Sequence, residues 1–357
     1  MAAHLCGPEQ QQQHLPQQEY DPEEATRAWL QPDETAAQLL ARTFVEPLRT
    51  GLPLIDRFLA FRGGQVLEIA SAAGCGRTTA LLQVAATCIM PQDAAGVHYG
   101  GKGGHVVCVD LDAKQDPVRL MEMLGSRIYA AQQAAGVGSP NALPLVLESL
   151  ARFHLVRCHS SFELLAALRV LLQGQALQAL AASEAGLACL LLDNVAAHYY
   201  LDRAGRGAPA AGTAAAAAGG AFGGGDLMHQ GAPLGLYRVH AAVAAVLRGI
   251  QQRYRLPIIA TKHLLLPGGK EAGKEQDGWA QREVMMKPWQ DLVTHRLILR
   301  SPSDGGGDGA AAAAAAAARA RTGSGAAAAA VHMAKWETPE DPAVIRFTIG
   351  DEGIRLC

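Results

Sequence analysis

Residues 64–90 read GQVLEIASAAGCGRTTALLQVAATCIM, and this stretch narrows the fold further than any other. A short apolar strand, 64–70, runs directly into a glycine-rich turn, and a helical stretch, 78–90, follows at once and stops at Pro91. The backbone N–H groups of such a turn, with the helix N-terminus behind them, make a cradle for an anion. The phosphate-binding pattern is G-x-x-x-x-G-K-[ST], whereas residues 71–78 read S-A-A-G-C-G-R-T. Ser71 stands where the first Gly is expected and Arg77 where the Lys is expected. Gly74 and Gly76 alone are compatible with a structural turn. The strand before them and the Arg-Thr-Thr that opens the helix favour a nucleotide loop.

The rest of the chain repeats the strand–helix alternation. GHVVCVDLD (104–112) is a second buried strand, followed by a helical segment from Pro117. FHLVRC (153–158) is a third strand, and SFELLAALRVLLQGQALQAL (161–180) reads as one long helix. LACLLLDN (187–194) is continuously apolar, as strands buried on both faces are. Leu236, Val239, Val243, Leu247, Ile250 and Tyr254 recur at helical spacing before a fifth strand, LPIIATKH (256–263). HRLILR, VHMAKW, VIRFTIG and GIRLC then follow without helices between them and should pair as a meander at one sheet edge. The fold class is α/β, a mainly parallel sheet flanked by helices with antiparallel C-terminal strands.

Composition sets the domain plan. Residues 1–34, rich in Gln, Pro and acids, read as a disordered tail, and 35–357 as one core domain. Ala/Gly-rich or Gly/Lys/Glu-rich inserts interrupt that domain at 204–235, 267–287 and 302–330. Within 33–44, DETAAQLLARTF is a candidate docking helix capped by Asp33, or a helix packed on its own core. Lys plus Arg number 31 against 33 acids, a balance that excludes nucleic-acid binding by bulk charge. The seven cysteines lack C-x-x-C spacing, so buried, reduced thiols are expected rather than zinc ligands. No apolar run reaches the ~18–20 residues that span a bilayer, and the N-terminus lacks the order of a signal peptide. The expectation is an intracellular protein without membrane contact.

Ligands of open α/β sheets bind outside the carboxyl ends of the strands. Ser71, Gly74, Cys75, Gly76, Arg77, Thr78 and Thr79 fall there, as do Asp110, Asp112, Asp193 and His263. Thr78 is placed to offer a hydroxyl to Mg²⁺, with Asp193 holding that ion through water. Asp112 is the candidate general base, or a solvated strand end; His263 is a candidate sensor, or a surface histidine. Arg77 keeps the charge of Lys but is longer, planar and forked. Ser71 adds a side chain where backbone approach favours none. These departures point to weak or absent hydrolysis.

TGLPLIDRFLAFRGGQVLEIASAAGCGRTT (50–79) resembles the opening of the RecA-type recombinase core. LACLLLDNVAAHYYLDRAGRG resembles that family's Walker B strand and the loop after it, LPIIATKH its sensor strand, and VIRFTIGDEGIRLC its last hairpin. LLARTFVEPL, ARFHLVRCHSSFELLAALRVLL and KPWQDLVTHRLILR are similar to segments of the family's small paralogues, over most of 36–357 outside the inserts. The resemblance implies a subunit of a recombinase-paralogue complex in double-strand break repair by homologous recombination, located in the nucleus. Its partners would be other paralogues, paralogue D in particular, with single-stranded or branched DNA bound through the complex. Such complexes assist recombinase filament assembly on single-stranded DNA. ATP and Mg²⁺ are the implied cofactors, weakly held if Arg77 and Ser71 spoil the loop; the alternative is an active DNA-dependent ATPase that uses Arg77. The first two inserts fall at the family's DNA-loop positions, where Arg203, Arg206, Lys270 and Lys274 either touch phosphates or are simply solvated.

Overall fold

The computed structural model describes residues 35–37, 46–137, 141–204, 236–264, 279, 283–301, 330–350 and 352–357. The chain divides into Met1–Val45 and Glu46–Cys357, and every element described below lies in the second unit. The tail expected at 1–34, most of the helix expected at 33–44 and most of the inserts at 204–235 and 302–330 lie outside the described residues.

The unit opens with a turn closed by one carboxylate. Asp56 accepts from Thr50 N at 2.9 Å, Thr50 Oγ1 at 2.7 Å and Gly51 N at 2.8 Å, fixing a short helix, α1 (Pro53–Asp56). Then come β1 (Val66–Ser71), α2 (Arg77–Ile89) and a small hairpin, β2 (Asp93–Ala94) with β3 (Val97–His98). β4 (His105–Asp110), α3 (Pro117–Ala134), α4 (Leu143–Leu150) and β5 (Phe153–Arg157) follow. Next are α5 (Ser161–Gln173), α6 (Gln175–Ala182), β6 (Leu187–Asp193), α7 (Tyr199–Ala204), α8 (Leu236–Tyr254) and β7 (Ile258–His263). α9 (Lys287–Gln290), β8 (His295–Arg300), β9 (Val331–Thr338), β10 (Val344–Gly350) and β11 (Gly353–Leu356) complete the unit.

The sheet runs β11-β10-β9-β8-β1-β7-β6-β4-β5. β8, β1, β7, β6, β4 and β5 are parallel, and β8 to β11 form an antiparallel meander at one edge. Apolar residues line both faces of the sheet. Leu67, Ile69, Cys108 and Leu191 pack with α2 and α3 on one side, through Leu81, Val84, Leu120 and Leu124. Val66, Val109, Leu190 and Leu192 pack with α5, α8 and α9 on the other, through Leu168, Val243, Leu247 and Trp289. Among the described residues no single helix is long and apolar enough to cross a membrane.

Two details depart from the sequence reading. The helix expected over 161–180 is two, bent by 52°, because Gly174 is extended (φ −76°, ψ 168°). A Cβ there would lie 2.5 Å from the Val170 carbonyl oxygen. The insert expected at 267–287 ends earlier, since Val284 and Met285 are buried in the core beside Trp289.

Glu283, just before them, joins a buried ionic cluster beneath α9. Lys262 Nζ on β7 lies 2.8 Å from both Glu68 Oε1 on β1 and Glu283 Oε2. Arg296 Nε on β8 lies 2.6 Å from Glu68 Oε1, and Trp289 Nε1 donates to Glu68 Oε2 at 2.6 Å. Burial pushes the Glu283 carboxyl up, but Lys262, the Met285 N–H and Arg296 outweigh it and hold it below the ordinary range. Removing one partner of a buried pair strands the other charge, at a cost of about 3–5 kcal/mol. Lys262→Met should therefore lower the unfolding free energy by about that amount, read by urea denaturation. A loss below 1 kcal/mol would show that the cluster is not holding β1, β7 and β8 together.

Acid acts on a second set of groups. His240 on α8 is buried, and its Nδ1 accepts from Met286 N at 3.2 Å, which requires the neutral ring. Burial lowers its pKa against the opposing pull of Asp202, and burial also lowers those of His105, His154, His263 and His295. A ring whose folded pKa lies below its unfolded value binds more protons when unfolded. Stability is then full above pH ~6.5 and falls as pH drops below it toward the folded pKa values. Chemical unfolding between pH 8 and 5 should show this decline, with a shallower slope in His240→Gln; a flat profile would contradict it.

Candidate nucleotide site

The parallel register sets the site. Ser71 pairs with His263 across β1 and β7, and Asp110 with Asp193 across β4 and β6, so these strands end level with one another. At the end of β1 the chain turns through Gly74 (φ +79°) and Gly76 (φ +84°) into α2. Gly76 is the N-cap of α2 and gives no side-chain cap hydrogen bond, so the N–H groups of the first turn have no side-chain cap at that position. A Cβ on Gly76 would lie 2.6 Å from Ile349 Cδ1, so the C-terminal hairpin packs directly beneath the loop. Gln83 of α2 fastens the same hairpin, accepting from Ile354 N at 2.7 Å and donating to Gly51 O at 2.7 Å.

Asp193 is the hub of the polar groups. Its Oδ2 accepts from Thr78 Oγ1 at 3.1 Å and Gln115 Nε2 at 2.8 Å, and its Oδ1 from Thr261 Oγ1 at 2.6 Å. The loop after β4 is organised by Asp110, which accepts from the backbone of Asp112, Lys114 and Gln115. Asn194, in a left-handed conformation (φ +62°), donates to Asp112 Oδ2 at 2.9 Å and accepts from His263 N at 3.0 Å. Gln115, Thr261 and Asn194 escaped the sequence reading. The signal for Thr261 was a hydroxyl inside an otherwise apolar strand; Gln115 had none, because a loop residue has no periodicity.

Arg77 turns back toward the sheet. Its Nη1 donates to Ser71 O at 2.5 Å and Lys262 O at 2.8 Å, and both terminal nitrogens lie 3.2–3.3 Å from His263 Nδ1. Burial lowers the guanidinium pKa while Asp193 and Asp112 oppose it. The His263 pKa is lowered by burial, then by Arg77 and Lys114, which favours the neutral ring; Nδ1 accepts from Arg77 in the tautomer protonated at Nε2. Ser71 is buried and its hydroxyl donates to Ala72 O at 2.8 Å.

The geometry fits part of what a magnesium nucleotide requires. The uncapped helix start suits a phosphate. The Thr78 hydroxyl beside the Asp193 carboxylate is an oxygen pair suited to Mg²⁺, although three of the carboxylate's roughly four acceptor positions are already taken. Arg77 is committed to main-chain carbonyls instead of reaching over the loop. Burial raises the Asp112 carboxyl, yet bonds from Lys114 and Asn194 with the charges of Lys114 and Arg77 outweigh that and hold it low. A carboxylate so held is a poor proton acceptor near neutral pH. No hydrolytic step follows from these positions.

Asp193→Ala removes the shared acceptor of three donors from three segments. Each stranded buried donor costs about 1–3 kcal/mol, so we expect a loss of about 3–5 kcal/mol overall and a smaller one for Asp193→Asn. Thermal and urea unfolding measure both. An alanine variant as stable as the parent would show that the hub is not structural.

No family model matches the chain. It is 27% identical over 320 residues to the "DNA repair protein XRCC2 homolog" of Arabidopsis thaliana, covering 79% of this chain and 81% of the relative. It is 26% identical over 243 residues to the "DNA repair protein XRCC2" of Mus musculus, covering 66% of this chain and 72% of that one. The parallel sheet with its antiparallel C-terminal meander is consistent with a RecA-like core. By these sequence similarities the chain is XRCC2-like.

Proposed function

We propose that this chain works in DNA repair, as a nuclear subunit of a recombinase-paralogue complex acting in homologous recombination, with paralogue D as its direct neighbour. Its part is to help a recombinase assemble on single-stranded DNA, which it meets through the complex. The names of its plant and mouse relatives support the repair role. Its nucleotide site is degenerate. The observation that carries this is Arg77, whose guanidinium holds the ends of β1 and β7 through Ser71 O and Lys262 O. A cation bonded to main-chain carbonyls is withdrawn from phosphate chemistry, and protein donors, Thr78, Gln115 and Thr261, occupy the Asp193 carboxylate. Such a site favours assembly over turnover. Of the basic residues expected to approach DNA, Arg203 donates to Tyr199 OH at 3.3 Å, while Arg206, Lys270 and Lys274 lie outside the described residues.

Calorimetry with ATP and Mg²⁺, co-purification with paralogue D, and rescue of repair-deficient cells test the reading together. The parent chain should bind ATP weakly, co-purify with paralogue D and restore resistance to DNA-damaging agents. Arg77→Ala should keep the partner and bind ATP as weakly as the parent, with a loss of stability of about 1–3 kcal/mol because Ser71 O and Lys262 O lose a donor. The paired change Ser71→Gly with Arg77→Lys should bind ATP at least about tenfold more tightly, about 1.4 kcal/mol. Brisk ATP turnover abolished by Arg77→Ala would overturn the proposal in favour of an active ATPase.

A further inference from the structure

We infer that the chain carries a second anion site, at the opposite end of α2, that takes a phosphate-bearing small molecule. A cavity of about 320 Å³ lies there, lined among others by Glu46, Arg49, Thr87, His98, Gly101 and Lys102. That volume is at the lower end of the range for small-molecule sites.

The charge around the cavity is unspent. Arg49 and Lys102 are exposed, and neither is ion-paired within the described chain. Behind them half-buried Arg127 of α3 donates to Thr87 Oγ1 at 3.0 Å. Burial lowers its pKa, and no carboxylate opposes the shift. Its guanidinium is bonded to one neutral hydroxyl and, among the described residues, to no carboxylate, so its charge adds to that of Arg49 and Lys102 beside the cavity. Asp93 is taken by His98 at 2.7 Å. The carboxylate on the lining, Glu46, pairs with neither cation.

These cations are not needed by the helix end either. The carboxyl end of a helix attracts positive charge, but here other donors have filled it. Thr87 O accepts from Lys102 N, Cys88 O from Gly104 N, Met90 O from Gly103 N and Pro91 O from Gly101 N. Ile89 O accepts from Arg152 Nη1. The turn must be glycine-rich to lie so close: a Cβ on Gly101 would sit 1.9 Å from Met90 O. With its amides so engaged, the turn recognises its ligand through the side chains of Arg49 and Lys102, with Thr87, backed by Arg127, also on the lining.

The test is a titration of inorganic pyrophosphate into the ¹⁵N-labelled full chain. Saturable shifts are expected at the amides of Arg49 and of Gly100–Lys102, separate from any response at Gly74–Thr78. Arg49→Ala with Lys102→Ala should weaken binding at the first set by on the order of tenfold or more and leave the second set unchanged. Both side chains are exposed and unbonded, so these variants should keep the parent's melting temperature. Glu46→Gln, which removes the repelling carboxylate, should tighten binding. Shifts confined to Gly74–Thr78, an unchanged affinity in the double variant, or a response only to a glutamate-rich peptide would each overturn the inference.

Discussion

One carboxylate ties the carboxyl end of the sheet together. Asp193, at the tip of β6, receives hydrogen bonds from the first turn of α2, from β7 and from the loop after β4. Four segments distant in sequence thus meet at two oxygen atoms. In a buried setting these bonds are mutually dependent, because losing the acceptor strands every donor at once. The orientation of Thr78 follows from that point, and Gln115 ties to it the loop that Asp110 organises.

On the proposed reading, Arg77 is a substitution that preserves charge and changes a role. Lysine carries a compact charge on a flexible stem, whereas arginine carries a planar fork whose donors fit paired carbonyls. Here one terminal nitrogen, Nη1, bridges the ends of two neighbouring strands, and both terminal nitrogens lie 3.2–3.3 Å from His263 Nδ1. The strand ends are thereby satisfied by a side chain of the helix that follows them. On the proposed reading, what was a phosphate contact has become a fastening within the core.

The two ends of α2 present contrasting chemistry. At its start the N-cap is a glycine without a side chain and the polar groups converge on a carboxylate. At its close the carbonyls are filled by backbone amides from the Gly100–Gly104 turn, and the neighbouring basic residues keep their charge. Gln83, within the helix, bonds the C-terminal hairpin, and Gly76 at its start lies close against Ile349 of that hairpin. The last strand of the chain therefore supports the first loop of the sheet.

Much of this was legible in the residues. Apolar strands followed by amphipathic helices dictate a parallel sheet with both faces covered, because each element must bury its apolar side locally. The same logic placed Ser71, Asp110, Asp193 and His263 at one mouth, since strand ends in such a sheet lie together. What the residues could not show was partner choice. Arg77 has the same sequence neighbours whether it reaches for phosphate or folds onto Ser71 O. Glu68, Lys262 and Arg296 read as ordinary charges in strands until β1, β7 and β8 lie side by side. Residues 161–180 read as one long helix, and the break at Gly174 shows only once the Val170 carbonyl lies beside it. Periodicity is a local property that burial imposes along the chain; hydrogen bonds and ion pairs between distant segments depend on distances of a few ångströms, and only the packed sheet decides those.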